Sequence, residues 1–364
     1  LNYFSQAIKI DPNNSNTYYY MGLIYEKLGD FDKTIFFYRK SFNINPKNGN
    51  AFTQLFYLYL KNFDWRSIKQ ITSKLNEFGI ENFEGGNPSI FLYYDDDPNK
   101  HKLRSEQFFE FYKRKSSDIK LKKSKKIKIG YLSNDFVFHP VSFLISKVIE
   151  THNRAEFEIY GYSINIKKDQ ITDKISNLFD FYRDISFKSD DEAANIIRLD
   201  NLDFIIDLMG YSAGSRMGIL SKKVAPTQIS YLAYPSTTGS DQIDYLLADK
   251  HVIPESEIKN FTEEIINIPG TFMCFDDTTK ISEKVSKNNF YNFNKQSFVM
   301  VAFHRPQKLN LKTVSCWCEL LNAIDHSCLW IRKPNKYAMR NLLEFFELKQ
   351  IERSKIIFAE REPT

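Results

Sequence analysis

Between residues 207 and 254 the chain reads DLMGYSAGSRMGILSKKVAPTQISYLAYPSTTGSDQIDYLLADKHVIP, and this stretch limits the possible folds more than any other. It contains two glycine- and hydroxyl-rich turns, each directly after an apolar, strand-like run. The run FIID at 204–207 opens into Gly210, Tyr211, Ser212 and Gly214. The run QISYLAY at 228–234 opens into Pro235, Ser236, Thr237, Thr238 and Gly239. In an open parallel sheet, ligands bind in the crevice outside the carboxyl ends of the strands. Glycine lets backbone approach a ligand closely, and hydroxyls supply adaptable hydrogen bonds. Either turn alone is also an ordinary strand-to-helix connection.

The surrounding pattern supports a parallel sheet. IKIGYLS at 127–133 reads as a strand, helical spacing starts at Val141, and FEIYGYSI at 157–164 reads as the next strand. This βαβα rhythm predicts a doubly wound α/β domain over 126–291. A fresh strand at 297–305, a helix at 311–324, a strand at CLWIRKP, a helix at 336–348 and the strand KIIFA predict the start of a second Rossmann-like unit, 296–364. A helical connector and basic linker, 81–125, precede the first of these.

Residues 1–80 follow a different rule, a repeat of 34 residues in which Ala7 and Pro12 recur as Ser41 and Pro46. Tyr18, Met21, Gly22, Tyr25, Gly29, Phe31, Thr34, Tyr38 and Ser41 occupy the tetratricopeptide pattern. A third unit begins with Phe52, Leu55 and Tyr59 and loses the pattern after Asn62. Stacked repeats bury a continuous core only with neighbours. The repeats read equally as a groove for protein partners and as a spacer packed on the rest of the chain.

Charge and cysteine usage exclude several classes. The net charge is +5 and spread out, apart from KRKSSDIKLKKSKKIK at 113–128. That run reads as a solvated linker, since it lacks the interleaved aromatics of a single-strand nucleic-acid platform. Cys274, Cys316, Cys318 and Cys328 form no CxxC pair, so neither a zinc site nor a disulfide framework is expected. No apolar run reaches membrane-spanning length and no signal peptide is evident, which together with reduced thiols predicts a cytoplasmic protein.

The wording of 207–254 resembles the catalytic region of the protein O-linked N-acetylglucosamine transferases, glycosyltransferase family 41. That family shows G-[YH]-[TS]-x-G-x-R, A-P-x-Q, Y-P-[GS]-T-[ST]-G and I-D-Y-x-x-x-D, followed by a proline. Here these stand as GYSAGSR at 210–216, APTQ at 225–228, YPSTTG at 234–239, IDYLLAD at 243–249 and Pro254. The resemblance implies the GT-B architecture, two Rossmann-like domains facing each other across a cleft, the second incomplete here.

It also implies a set of site residues. His139 stands in the family's D-F-x-x-H-P wording at the mouth of the active-site cleft, with proton transfer or sugar binding as its role and capping of the next helix as the plainer reading. Lys308, in FHRPQKLN at 303–310, matches the lysine that contacts the nucleotide diphosphate. A fixed ammonium there stabilises the charge that develops on the leaving group. Arg305 falls where relatives carry a polar residue near the phosphates, and His304 replaces the usual asparagine. Tyr211 is assigned with His139 and Lys308 to catalysis. Gly210, Ser212, Pro235, Thr237 and Thr238 are assigned to substrate binding. Asp96, Asp97 and Pro98 resemble the segment joining repeats to the catalytic domain. No metal and no cofactor beyond a UDP-sugar co-substrate are expected.

The family continues with a turn ending H-T-T at a helix amino terminus, a place suited to a diphosphate; 1–364 contains no such turn. The chain therefore looks like a piece of a longer protein, and alone it is expected to be inactive and to bind UDP-sugar weakly or not at all. The function implied is inverting, metal-independent transfer of N-acetylglucosamine from UDP-N-acetylglucosamine to Ser or Thr hydroxyls of proteins. The partners implied are a protein or peptide acceptor and proteins held in the repeat groove, without nucleic acid or membrane. Two alternatives stay open. One is a related cytoplasmic glucosyltransferase, possibly acting on Asn, and the other is a non-catalytic repeat platform.

Overall fold

A computed structural model describes residues 2–81, 86–113, 124–280 and 297–360. Most of the basic run at 113–128 lies outside the described residues. The described residues form two compact units: those of Leu1–Gly86, Ile90–Asp95 and Ile281–Thr364, and those of Asn87–Ser89 and Asp96–Lys280.

The first unit opens with five helices, α1 (Asn2–Ile10), α2 (Ser15–Lys27), α3 (Phe31–Ile44), α4 (Gly49–Lys61) and α5 (Trp65–Ile71). Their starts show the repeat physically. Asn14 and Asn48 cap α2 and α4, accepting from Thr17 N and Ala51 N, while Asp30 and Asp64 cap α3 and α5, accepting from Lys33 N and Ser67 N. Such side chains satisfy amide groups that a helix start leaves unpaired. A β-carbon at Gly22 would overlap the buried ring of Tyr38, so α2 and α3 pack closely only because of that glycine. The third unit is better preserved than its sequence predicts: Asp64 still caps a second helix, shortened to Trp65–Ile71.

The second unit begins with α6 (Pro98–Phe109), capped by Asp97, which accepts from Asn99 N, with Pro98 in the first turn. Then come β1 (Ile127–Ser133), α7 (Pro140–Thr151), β2 (Phe157–Ser163), α8 (Gln170–Ser176), β3 (Phe181–Asp184), α9 (Asp190–Leu199), β4 (Phe204–Asp207), α10 (Met217–Leu220), β5 (Thr227–Ser230), β6 (Tyr245–Ala248) and β7 (Glu264–Asn267). All seven strands are parallel, in the order β3-β2-β1-β4-β5-β6-β7. The strand order reverses between β1 and β4, which makes their carboxyl ends the topological switch point. The core between sheet and helices includes Tyr131, Ile145, Ile149, Ile159, Ile206 and Ile229. β5 is shorter than the run at 228–234 predicts, because Leu232 takes a left-handed backbone (φ 75°) that turns the chain out of the sheet.

The predicted second Rossmann-like start is present in the first unit: β8 (Phe298–Ala302), α11 (Leu311–Ala323), β9 (Ser327–Arg332), α12 (Lys336–Leu348) and β10 (Ile356–Ala359), with a parallel sheet ordered β10-β9-β8. Cys318 is buried and Cys316 exposed, as their two-residue spacing on α11 requires. Among the described residues no helix is long and apolar enough to cross a membrane.

Candidate active site

Two of the expected site segments meet at the switch point. β1 ends at Ser133 and leads through Asn134 and Asp135 to His139; β4 ends at Asp207 and leads into the Gly210 turn. Met209 joins them, its Sδ accepting from Asn134 N (3.2 Å) and Ser133 Oγ (3.6 Å). Gly214 (φ 85°) lies so close to the Asn134 amide that a β-carbon there would overlap it. Asn134 O in turn accepts from Asn165 Nδ2 beyond β2 (2.6 Å).

His139 is the N-cap of α7, with its Nδ1 3.4 Å from Val141 N and 3.3 Å from Asp135 Oδ2. The plainer reading, a cap on the following helix, is therefore met by this side chain. Its ring is partly exposed, and Nε2 makes no hydrogen bond among the described residues. Asp135, which sequence reasoning passed over, sits one helical turn earlier and is itself mostly buried.

Asp207 is a buried carboxyl at the floor of the switch point. Burial pushes its pKa up to about 7, against the opposing pull of hydrogen bonds from Gly210 N (2.8 Å) and Met209 N (3.1 Å). Raised in the folded state above its usual 3.8, the group binds more protons folded than unfolded. Its contribution to stability is thus complete below the unfolded pKa and is lost as pH rises through about 7. The melting temperature should fall between pH 5 and pH 8 and, in Asp207→Asn, should lose most of that slope; thermal scans across this range check it.

Tyr211 sits differently from the expectation. Its ring is buried, its hydroxyl donates to Thr238 O (2.6 Å), and burial pushes the phenol well above its ordinary pKa. The phenol is therefore a neutral donor spent inside the unit, not a group presented to a ligand. Thr237 and Thr238 require the same correction. Thr237 Oγ1 donates to Glu263 Oε2 (2.6 Å), Thr238 N to Glu263 Oε1 (2.7 Å), and Thr238 Oγ1 also donates to Glu263. Both threonines are fully buried with Glu263, whose role no sequence pattern signalled. A buried carboxyl needs such donors, and this one takes the two threonine hydroxyls that seemed free for a ligand.

The reason lies in α6. Gly239 (φ 66°) packs against the backbone of Ser105 and Glu106, Phe108 meets the Tyr211 ring edge-on (5.1 Å between centroids), and Asn87 Nδ2 donates to Tyr211 O (3.0 Å). The second glycine turn serves helix packing. Of its residues Pro235 alone is exposed. In the first turn, Gly210 (φ 51°) leaves room for Tyr234, and Ser212 Oγ is buried without a hydrogen-bond partner among the described residues. Arg216 holds the far end of this turn through Asp190 Oδ1 (2.6 Å).

Lys308 and Arg305 lie in the other unit, on the short loop between β8 and α11, and both are exposed. His304 is exposed beside them. Asn310 caps α11, accepting from Thr313 N (2.8 Å). A separate cavity of about 270 Å³, lined by Glu26, Thr34, Lys61 and Lys336 among others, contains none of the expected site residues. Among the described residues no group of His, Cys, Asp or Glu is arranged to hold a metal.

The sequence profile of Glycosyl transferase family 41 matches residues 100–297, and a tetratricopeptide profile matches 3–36. The chain belongs to glycosyl transferase family 41. Among its relatives is the probable UDP-N-acetylglucosamine–peptide N-acetylglucosaminyltransferase SEC of Arabidopsis thaliana, 30% identical over 243 residues, which are 65% of this chain and 25% of the relative. The corresponding SPINDLY protein of Petunia hybrida is 28% identical over 238 residues, 63% of this chain and 25% of that protein. The chain thus spans about a quarter of the length of these relatives. A solved lysine-to-methionine mutant of the Thermobaculum terrenum O-GlcNAc transferase has the same fold, with a TM-score of 0.77 at 19% identity over 99% of this chain and 70% of that one. In this family 41 chain the GT-B-type fold, repeats followed by parallel-sheet α/β parts, is therefore established.

Proposed function

We propose that this family 41 chain carries part of an enzyme that moves N-acetylglucosamine from UDP-N-acetylglucosamine to Ser or Thr hydroxyls of proteins. The observation that supports it most is the meeting of the His139 segment and the first glycine turn at the switch point of a seven-stranded parallel sheet. Ligands of such sheets bind there.

In the reaction proposed, the acceptor oxygen attacks the anomeric carbon from the face opposite UDP and inverts it. The new O–C bond forms as the bond to the diphosphate oxygen breaks, and that electron pair leaves with UDP. The hydroxyl proton goes to a base, for which His139 Nε2 is the candidate in the tautomer whose Nδ1–H donates to Asp135; in that tautomer Nδ1 no longer accepts from Val141 N at the start of α7. Lys308 and Arg305 supply cationic charge to the departing diphosphate, which gives a metal-independent step. Gly210, Ser212 and Pro235 remain the proposed substrate contacts. Tyr211, Thr237 and Thr238 are assigned to holding the shape of the wall behind them.

Calorimetric titration of nucleotides into the full product of the gene tests the reading. UDP should bind with micromolar affinity and ADP far more weakly; equal affinity for both, or none for either, would overturn it.

A further inference from the structure

We infer that the corner between α4 and α5 is a positioning element for Lys308, so that the repeats hold the proposed diphosphate-binding loop rather than merely precede it. The functional weight of this rests on the assignment of Lys308 made above; the structural argument does not.

The corner is residues 62–65, where the repeat pattern fades. Phe63 has a left-handed backbone (φ 54°) and is nearly inaccessible at 3%. A bulky residue in that conformation is uncommon and persists only where its surroundings over-determine it. The turn itself belongs to the repeat, since Phe63 N and Asp64 N bond Leu60 O (3.3 Å) and Tyr59 O (3.0 Å) as Gly29 N and Asp30 N bond Glu26 O and Tyr25 O one repeat earlier. The side chain that replaces glycine there is held elsewhere. Phe63 packs in the core of the second α/β part with Ala302, Leu309, Val314, Leu342 and Phe346. Asn62 is buried and fully used: its Nδ2 donates to Leu58 O (2.6 Å), its Oδ1 accepts from Asn335 Nδ2 (3.0 Å) and its carbonyl accepts from Asn341 Nδ2 (2.8 Å). Trp65 meets Phe345 edge-on at 4.8 Å between centroids. The side chains that break the tetratricopeptide pattern are thus the ones that enter the α/β part.

The loop itself shows where this leads. Gln307 and Leu309 are buried, while Arg305 and Lys308 are exposed. Gln307 Nε2 donates to Tyr57 Oη on α4 (3.2 Å), and Leu309 lies in the same cluster as Phe63. Lys308 is therefore bracketed by two inward anchors, each resting on the repeats, which direct its own side chain outward. A shift of α4 moves both anchors. Anything that binds the repeats and displaces α4 would alter the cation meant for the diphosphate.

Backbone amide exchange in the chain without nucleotide tests this independently of the proposed chemistry. The amides of Lys308 and Leu309 are bonded to Arg305 O (3.0 Å) and Pro306 O (2.9 Å), so they report on the loop. Tyr57→Phe removes only the hydroxyl that Gln307 uses. It should speed exchange at these two amides about fivefold, the factor one net hydrogen bond of ordinary strength is worth. Adding Gln307→Leu to it should bring little further change, because the two residues act as one anchor. Phe63→Ala should speed exchange at 308 and 309 more than in β9 or α12, with the seven-stranded sheet unaffected. Unchanged exchange at 308 and 309 in Tyr57→Phe, or uniform acceleration through the α/β part in Phe63→Ala, would reduce the corner to ordinary core and overturn the inference. Failure of UDP to bind would leave it standing.

Discussion

Gly239→Ala is expected to lower the melting temperature of the seven-stranded unit by roughly 10 °C, the shift that about 3 kcal/mol produces in a domain of this size. Two costs add. Gly239 has φ 66°, where an alanine loses roughly 1–2 kcal/mol to its own carbonyl. Its new β-carbon would also overlap the backbone of Ser105 and Glu106 in α6. A side chain could rotate away; a helix backbone cannot without moving α6 as a whole, at the overpacking cost of about 1–3 kcal/mol. Because α6 also carries Phe108 against Tyr211, the damage should spread to the first glycine turn. Calorimetric melting checks it, and a shift of less than about 2 °C, the amount expected for a neutral surface change, would show that α6 does not pack there.

The second large effect concerns chemistry, not stability. Lys308→Met keeps the length of the side chain and removes its charge at an exposed position, so folding should be unaffected. Transfer, by contrast, should slow by roughly 10²–10³-fold, the range seen when one group stabilising transition-state charge is deleted. The loss should fall on kcat more than on KM, since charge on the diphosphate grows as the glycosidic bond breaks.

The fold was legible from the sequence because its signals are local and repeated. Capping residues recur with the repeat, as Asn14 with Asn48 and Asp30 with Asp64, and the strand at 204–207 and the helix at 336–348 stand where the apolar pattern puts them. The site was legible only in part. Glycine marks close approach of backbone to something, and sequence does not say to what. At Gly214 the neighbour is Asn134, beside the site; at Gly239 it is helix α6, whose own pattern gave no hint of its destination. Glu263 went unnoticed because a single acidic residue carries no periodicity, yet it takes the hydroxyls of Thr237 and Thr238. Likewise, the pattern loss after Asn62 looked like decay, whereas Phe63 follows the rule of a different core.

The most direct measurement is mass spectrometry of acceptor peptides after incubation with the full product of the gene and UDP-N-acetylglucosamine or UDP-glucose. One N-acetylhexosamine should appear on Ser or Thr with the first donor, and Lys308→Met should form that product at least a hundredfold more slowly while melting at the same temperature. An unmodified peptide, a hexose in its place, or a variant as fast as the parent would contradict the account.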